Sequence, residues 1–170
     1  MSTPSQTRLN LFIDSDGPVA DFDHSLKADG READVFKLHA GIYLYLPVTK
    51  GAAEGLAALK ELDDQNLLRV WILTKTPSKS PYAYTEKVLW YRQHFPWLED
   101  RVILTHDKSL LGGRDDMLLD DRPHKAHADK FRGTFVYFDP EFPRKSWDKF
   151  MVEVAVKLNT IHSRSDSAGS

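Results

Sequence analysis

Five short apolar runs limit what this chain can fold into. They are LNLFI (9–13), LLRVWIL (67–73), RVILT (101–105), DMLL (116–119) and TFVYF (134–138). Strands covered on both faces read as near-continuous apolar runs rather than clean alternation, and this is the pattern of a parallel sheet. Helical periodicity fills the gaps. GAAEGLAALKELDD (51–64) aligns Ala52, Leu56 and Leu59. YTEKVLWYRQHF (84–95) aligns Tyr84, Val88, Tyr91 and Phe95 and stops at Pro96. PHKAHADKF (123–131) opens on Pro123, a favoured first helical residue. SWDKFMVEVAVKLNTI (146–161) sets Trp147, Phe150, Met151, Val154, Leu158 and Ile161 at helical spacing, with Ser146 as its N-cap. Strand and helix in alternation predict an α/β fold, a doubly wound, Rossmann-like parallel sheet.

The chain of 170 residues suits one domain, predicted over 8–162. The small polar ends, 1–7 and 163–170, read as disordered. A net charge of -2 argues against a nucleic-acid polymer or an anionic membrane as partner. No apolar stretch approaches spanning length, and the N-terminus lacks a signal peptide's apolar core. The absence of cysteine removes thiolate metal sites and cysteine nucleophiles, and suits a reducing cytoplasm. Whether the chain is a monomer or a homodimer stays open.

In doubly wound folds, ligands sit beyond the carboxyl ends of the strands. Here those ends are rich in chemistry. The first run leads into Asp14 and Asp16, with Asp21 and Asp23 close behind. The second ends in Thr74 and Lys75, and the third is followed by Lys108. The fourth ends in Asp120, Asp121 and Arg122. So many carboxylates at one edge repel each other and need a compensating cation. Each piece alone is common, since Asp21 and Asp23 serve equally as turn residues or N-caps and a lysine after a strand is often solvated. Their joint placement at strand ends is what an ordinary scaffold does not explain. His124 and His127, three apart on the predicted helix, share a face, but no third histidine or cysteine joins them as a metal ligand.

The set DSDG, ILT, DK and LLDDRP resembles the haloacid dehalogenase superfamily of aspartate-nucleophile phosphotransferases. The stretches DSDGPVADFD, LPVTKGAAEGLAALKEL, TKTPSKSPYAYTEK and RVILTHDKSLL are similar, more narrowly, to the 5'(3')-deoxyribonucleotidases. The likeness covers roughly residues 9–138. It implies a small cap insert after the first strand, residues 22–48.

The resemblance also implies a mechanism. Asp14 would attack phosphorus to form an aspartyl-phosphate, and Asp16 would act as general acid and then general base. Mg²⁺ would be held by Asp14, the Asp16 backbone carbonyl and Asp120, with Asp121 as a further ligand or support. Thr74 and Lys108 would stabilise the phosphoryl group. Thr74, Lys75, Lys79, Arg122 and Phe22 would contact a small phosphorylated substrate. Pro18 departs from the family pattern by lacking a backbone donor near the site. Lys75 departs by replacing a serine. The cap departs by being short, with Phe22, Phe36, Tyr43 and Tyr45 as its candidate pocket aromatics. The implied activity is phosphomonoester hydrolysis, with nucleoside monophosphates as the expected substrates. The alternatives are another small phosphate ester or a non-catalytic binding protein of the same fold.

Overall fold

The strand β1 (Leu9–Ile13) lies at the centre of a five-stranded sheet in the order β3-β2-β1-β4-β5, with β2 at Leu68–Thr74, β3 at Val102–Leu104, β4 at Met117–Asp120 and β5 at Thr134–Tyr137. Every pairing is parallel, as the apolar runs predict. The computed structural model describes the backbone of residues 8–168, so the predicted disorder of residues 1–7 falls outside the described residues.

The order carries the functional geometry. From β1 the chain moves outward one way to β2 and β3, then returns to the other side of β1 for β4 and β5. The reversal opens a crevice between the carboxyl ends of β1 and its neighbours. Asp14 follows β1 directly, Thr74 closes β2 and Asp120 closes β4.

One face of the sheet, carrying Leu9, Leu11, Ile13, Leu68, Val70 and Ile72, forms a single core with α3 (Ala52–Asp64), α4 (Pro81–His94) and α5 (Pro143–Ala168). Ala52, Leu56 and Leu59 are buried there, as are Trp147, Phe150, Val154, Leu158 and Ile161. The other face departs from the two-sided helical cover predicted by the sequence. Phe12, Leu73 and Leu118 pack on Ala128 and Phe131, while Arg69 near the start of β2 is exposed. The predicted helix at 123–131 is absent. Residues Lys125–Lys130 form a broken 3₁₀ segment, with Ala126 at φ 52° and His127 at φ 54°. His124 and His127 therefore do not share a helical face. They pair separately, with Asp129 at 3.5 Å and Asp107 at 3.2 Å.

Three further differences have local causes. Helix α5 begins at Pro143, so Ser146 lies inside it, and its hydroxyl accepts the Asp139 N–H at 2.9 Å rather than capping the helix. The same helix runs on to Ala168, past the disordered boundary expected at 163. Helix α4 begins at Pro81, and its buried face carries Ala83, Glu86, Lys87, Trp90 and Tyr91. Tyr84, Val88 and Phe95, placed on the buried face by periodicity, are only half-buried.

Residues 22–48 hold two short helices, α1 (Phe22–Asp29) and α2 (Ala33–Phe36). Asp21 caps α1, its carboxylate accepting the His24 N–H at 3.0 Å. Phe22, Phe36 and Tyr43 pack as a ring cluster, while Tyr45 is exposed.

Gly55 is where α3 meets α5. A Cβ there would stand 2.3 Å from Trp147 Cε3. We expect Gly55→Ala to cost about 1–3 kcal/mol by overpacking. The denaturant midpoint measures this; an unchanged midpoint would mean that the helix pair is loosely packed.

Candidate active site

The loop after β1 is built to turn sharply beneath the strand ends. Gly17 has φ 102°, a region that disfavours any side chain. It also lies so near Asp121 that a Cβ would be 2.8 Å from the carboxyl carbon. The turn closes through Gly17 N–H to Ala20 C=O at 2.8 Å and Ala20 N–H to Ser15 C=O at 2.8 Å. Helices hold it from behind. The Tyr91 hydroxyl donates to Ser15 Oγ at 3.0 Å, and the Trp147 indole donates to the Pro18 carbonyl at 2.8 Å. Pro18, whose missing N–H marks a departure from the family pattern, thus contributes through its carbonyl.

Asp14 and Asp120, both buried, meet over one ammonium. Lys108 Nζ reaches Asp14 Oδ1 at 2.8 Å and Asp120 Oδ2 at 2.6 Å. The second Asp120 oxygen accepts the Arg122 N–H at 2.8 Å. Burial by itself would lower the Lys108 ammonium, but Asp14 and Asp120 outweigh it and hold the charge in place. Burial pushes Asp120 up to about 6, with Asp14 adding to the rise and Lys108 opposing it. Asp121 is pushed up to about 7, again by burial first and Asp14 second.

These values describe carboxylates short of positive charge. Oxygens of Asp14, Asp120 and Asp121 lie within 4.8 Å of one another, and Asp121 Oδ1 is buried without a hydrogen-bond partner among the described residues. Three hard oxygen donors and an orphaned carboxylate oxygen fit a divalent cation. The Asp16 side chain stands outside this cluster. Its Oδ1 is taken by Lys87 Nζ at 2.5 Å, and the same amine reaches Thr74 Oγ1 at 3.3 Å.

The aspartates open into a cavity of about 500 Å³ between the cap segment and the strand ends. Asp16, Phe22, Tyr43, Lys75, Lys79, Arg122 and Lys125 line it. Arg122 faces Asp23 and Asp121, each at 3.5 Å. Lys79 is exposed at the rim, Lys75 half-buried, and burial followed by Arg122 lowers the Lys125 ammonium. Burial, Asp16 and Glu86 raise the Tyr43 phenol, keeping it neutral. Of the residues that the sequence singles out, Phe22 and Lys79 line this outer cavity, Asp14, Lys108 and Asp120 line a small space beneath it, and Asp16, Lys75 and Arg122 border both.

Lys87 and Lys125 are the site residues that periodicity and strand-end reasoning pass over. A signal for Lys87 existed: it stands three and four residues before Trp90 and Tyr91, on the apolar side of α4.

A sequence model of the family described as 5' nucleotidase, deoxy (pyrimidine), cytosolic type C matches residues 36–153. The chain belongs to this 5'-nucleotidase family. It is similar to a protein from Bordetella bronchiseptica provisionally named a 5'(3')-deoxyribonucleotidase, at 27% identity over 166 residues, spanning 82% of this chain and 88% of the relative. A Bordetella pertussis protein of the same name is 26% identical over the same shares. The human 5'(3')-deoxyribonucleotidase, cytosolic type, is 36% identical over 83 residues, 48% of this chain and 39% of that one. As a 5'-nucleotidase family member, the chain is a hydrolase of phosphomonoesters with a haloacid dehalogenase-like fold. No helix among its described residues is long and apolar enough to cross a membrane.

Asp121 has a folded value of about 7 against an ordinary 3.8, so its ionised form destabilises the metal-free fold progressively as pH rises between those values. Without added metal, Asp121→Asn is expected to melt a few degrees above wild type at pH 8, with the gap closing towards pH 4. Mg²⁺ at pH 8 should raise the wild-type melting temperature and leave the variant's nearly unchanged. Equal metal responses in the two proteins would remove Asp121 from the cation site.

Proposed function

We propose that this chain is a Mg²⁺-dependent 5'-nucleotidase that hydrolyses deoxyribonucleoside or ribonucleoside monophosphates through Asp14. The observation that carries the reading is the buried Asp14–Lys108–Asp120 bridge beside the unpartnered Asp121 oxygen. A carboxylate held by a buried ammonium in a crevice at strand ends suits a nucleophile for a dianionic ester, and a solvated acidic loop has no need of this arrangement.

An Asp14 oxygen attacks phosphorus, and the bond from phosphorus to the ester oxygen breaks. The departing oxygen takes a proton from Asp16. Asp16, now a carboxylate, removes a proton from water, which attacks the aspartyl-phosphate and frees Asp14 and inorganic phosphate. Lys108 stays beside the phosphoryl oxygens throughout. The Thr74 hydroxyl, accepting from Lys87, has only a long 3.5 Å contact to the Lys75 carbonyl for its own proton and is free to donate to a phosphoryl oxygen. Asp14, the Asp16 carbonyl, Asp120 and Asp121 would hold Mg²⁺, which would supply the positive charge that a phosphate dianion needs beside four carboxylates.

Phe22 and Tyr43 give the outer cavity an aromatic wall suited to a nucleobase or sugar face. A second reading, a small ester with another anionic group, is favoured by Lys75, Lys79 and Lys125, which face the cavity without a carboxylate partner among the described ion pairs. A panel of nucleotides and sugar phosphates separates the two. The cysteine-free composition and the cytosolic name of the human relative support a place in the cytosol.

Asp14→Asn is expected to abolish turnover while phosphate still binds, and chelation should remove activity that Mg²⁺ restores. Phosphate release assays on the panel measure both, and substantial turnover by the variant or without metal would sink the reading. Lys108→Ala should lower kcat on the order of a hundredfold, whereas Lys75→Ser should mainly raise KM or reorder the panel. Steady-state kinetics on the best substrate would expose reversed roles.

A further inference from the structure

Helix α4 buries two adjacent charges. Glu86 is 6% exposed and Lys87 2%. Burying either is costly unless it is fully partnered, and both are. The Glu86 carboxylate accepts the Gly41 N–H at 2.6 Å and the Tyr43 N–H at 3.2 Å, which ties the cap segment to α4. One residue on, Lys87 Nζ reaches Asp16 Oδ1 at 2.5 Å and Thr74 Oγ1 at 3.3 Å, and sits 4.6 Å from the Tyr43 ring centroid.

An ammonium has three N–H groups. The Lys87 ammonium has a carboxylate, a hydroxyl and an aromatic face within reach, one acceptor for each of its N–H groups. The two buried lysines of the site divide their work. Lys108 pairs with Asp14 and Asp120, while Asp16 is the carboxylate that Lys87 pairs with among the described residues. Asp16 in turn borders both the deep space with Asp14 and the outer cavity beneath the cap. With Oδ1 gripped, its other oxygen, Oδ2, has no hydrogen-bond partner among the described residues.

We propose that Lys87 is a positioning residue for proton transfer, holding Asp16 by Oδ1 so that Oδ2 meets the leaving oxygen. This rests on the reading of Asp16 as the proton carrier. In the cleavage step the bond from Asp14 to phosphorus forms and the ester bond breaks. The electron pair stays on the leaving oxygen, and the Asp16 proton moves to it. The carboxylate that remains is already paired with an ammonium. Lys87 then matters in proportion to the leaving group's need for a proton. A nucleoside alkoxide needs one, whereas p-nitrophenolate is a stable anion that departs without one.

The test compares kcat/KM for a nucleoside 5'-monophosphate and for p-nitrophenyl phosphate, because this parameter covers events only through phosphoenzyme formation. Lys87→Met keeps the aliphatic stem and removes the charge and donors. It should lose on the order of a hundredfold on the nucleotide and far less on the aryl ester. Lys87→Gln, which can still donate to Asp16, should recover part of the nucleotide loss with the same direction of selectivity. Calorimetric binding of inorganic phosphate should stay near wild type. Equal losses on both esters, or loss of phosphate binding, would overturn the proposal. If Lys87→Met does not fold, the selectivity of Lys87→Gln decides in the same way. Asp16→Asn separates the two levels. Leaving-group selectivity in Asp16→Asn but not in the Lys87 variants overturns the positioning role alone. Its absence in Asp16→Asn overturns the proton-carrier reading and the Lys87 role with it.

Discussion

One ammonium group holds this site together. Lys108 sits between Asp14 and Asp120, and without it two buried carboxylates from adjacent strand ends would face each other across a low-dielectric gap. Its position depends on the short 3₁₀ turn at Lys108–Leu110, which follows β3 after three intervening residues. Asp107 secures that turn by accepting the Ser109 N–H at 3.0 Å. A backbone turn, a cation and two strand ends are therefore one unit, and the loop after β1 is assembled around it.

The rest of the scaffold limits how far that unit can move. Tyr91 from α4 and Trp147 from α5 both bond to the segment after Asp14, so two helices of the main core act on one turn. Gly17 lets the turn pass under Asp121 with no room to spare. The cap is held differently. It hangs from Glu86 and from the Trp90 indole, which donates to the Leu46 carbonyl at 2.9 Å. The cap is tied as well to the loop after β1, where the Asp21 N–H donates to the Pro47 carbonyl at 2.8 Å, so helix α4 and that loop together fix the cavity wall.

Much of this was legible in the chain. The apolar runs at 9–13, 67–73 and 116–119 state their burial plainly, and parallel pairing follows from the helices between them. The candidates Asp14, Thr74 and Asp120 stand at strand ends that can be counted from sequence, and Lys108 stands a few residues beyond one. What escaped detection needed tertiary information. Lys87 lies on a helix rather than at a strand end, and its aliphatic stem fills a core position while its head finds Asp16. The 123–131 segment carries helix-forming residues, yet its backbone breaks at Ala126 and His127. Pro123 offered a helix start, and nothing in the local pattern marked left-handed backbone at two residues that are not glycine. Ser146 was a reasonable cap by type, but the helix found its first turn earlier, at Pro143.

The placement of the indoles has an optical consequence. Of the four tryptophans, Trp147 ends on the Pro18 carbonyl of the turn after β1 and Trp90 on the Leu46 carbonyl of the cap, while Trp71 bonds to Asn10 towards the far end of the sheet, at 3.2 Å. The first two emitters are hydrogen-bonded to separate segments, and Trp71 lies apart from both. Intrinsic fluorescence of single-tryptophan forms could therefore follow the turn and the cap independently, in an unlabelled protein, as a ligand enters between them.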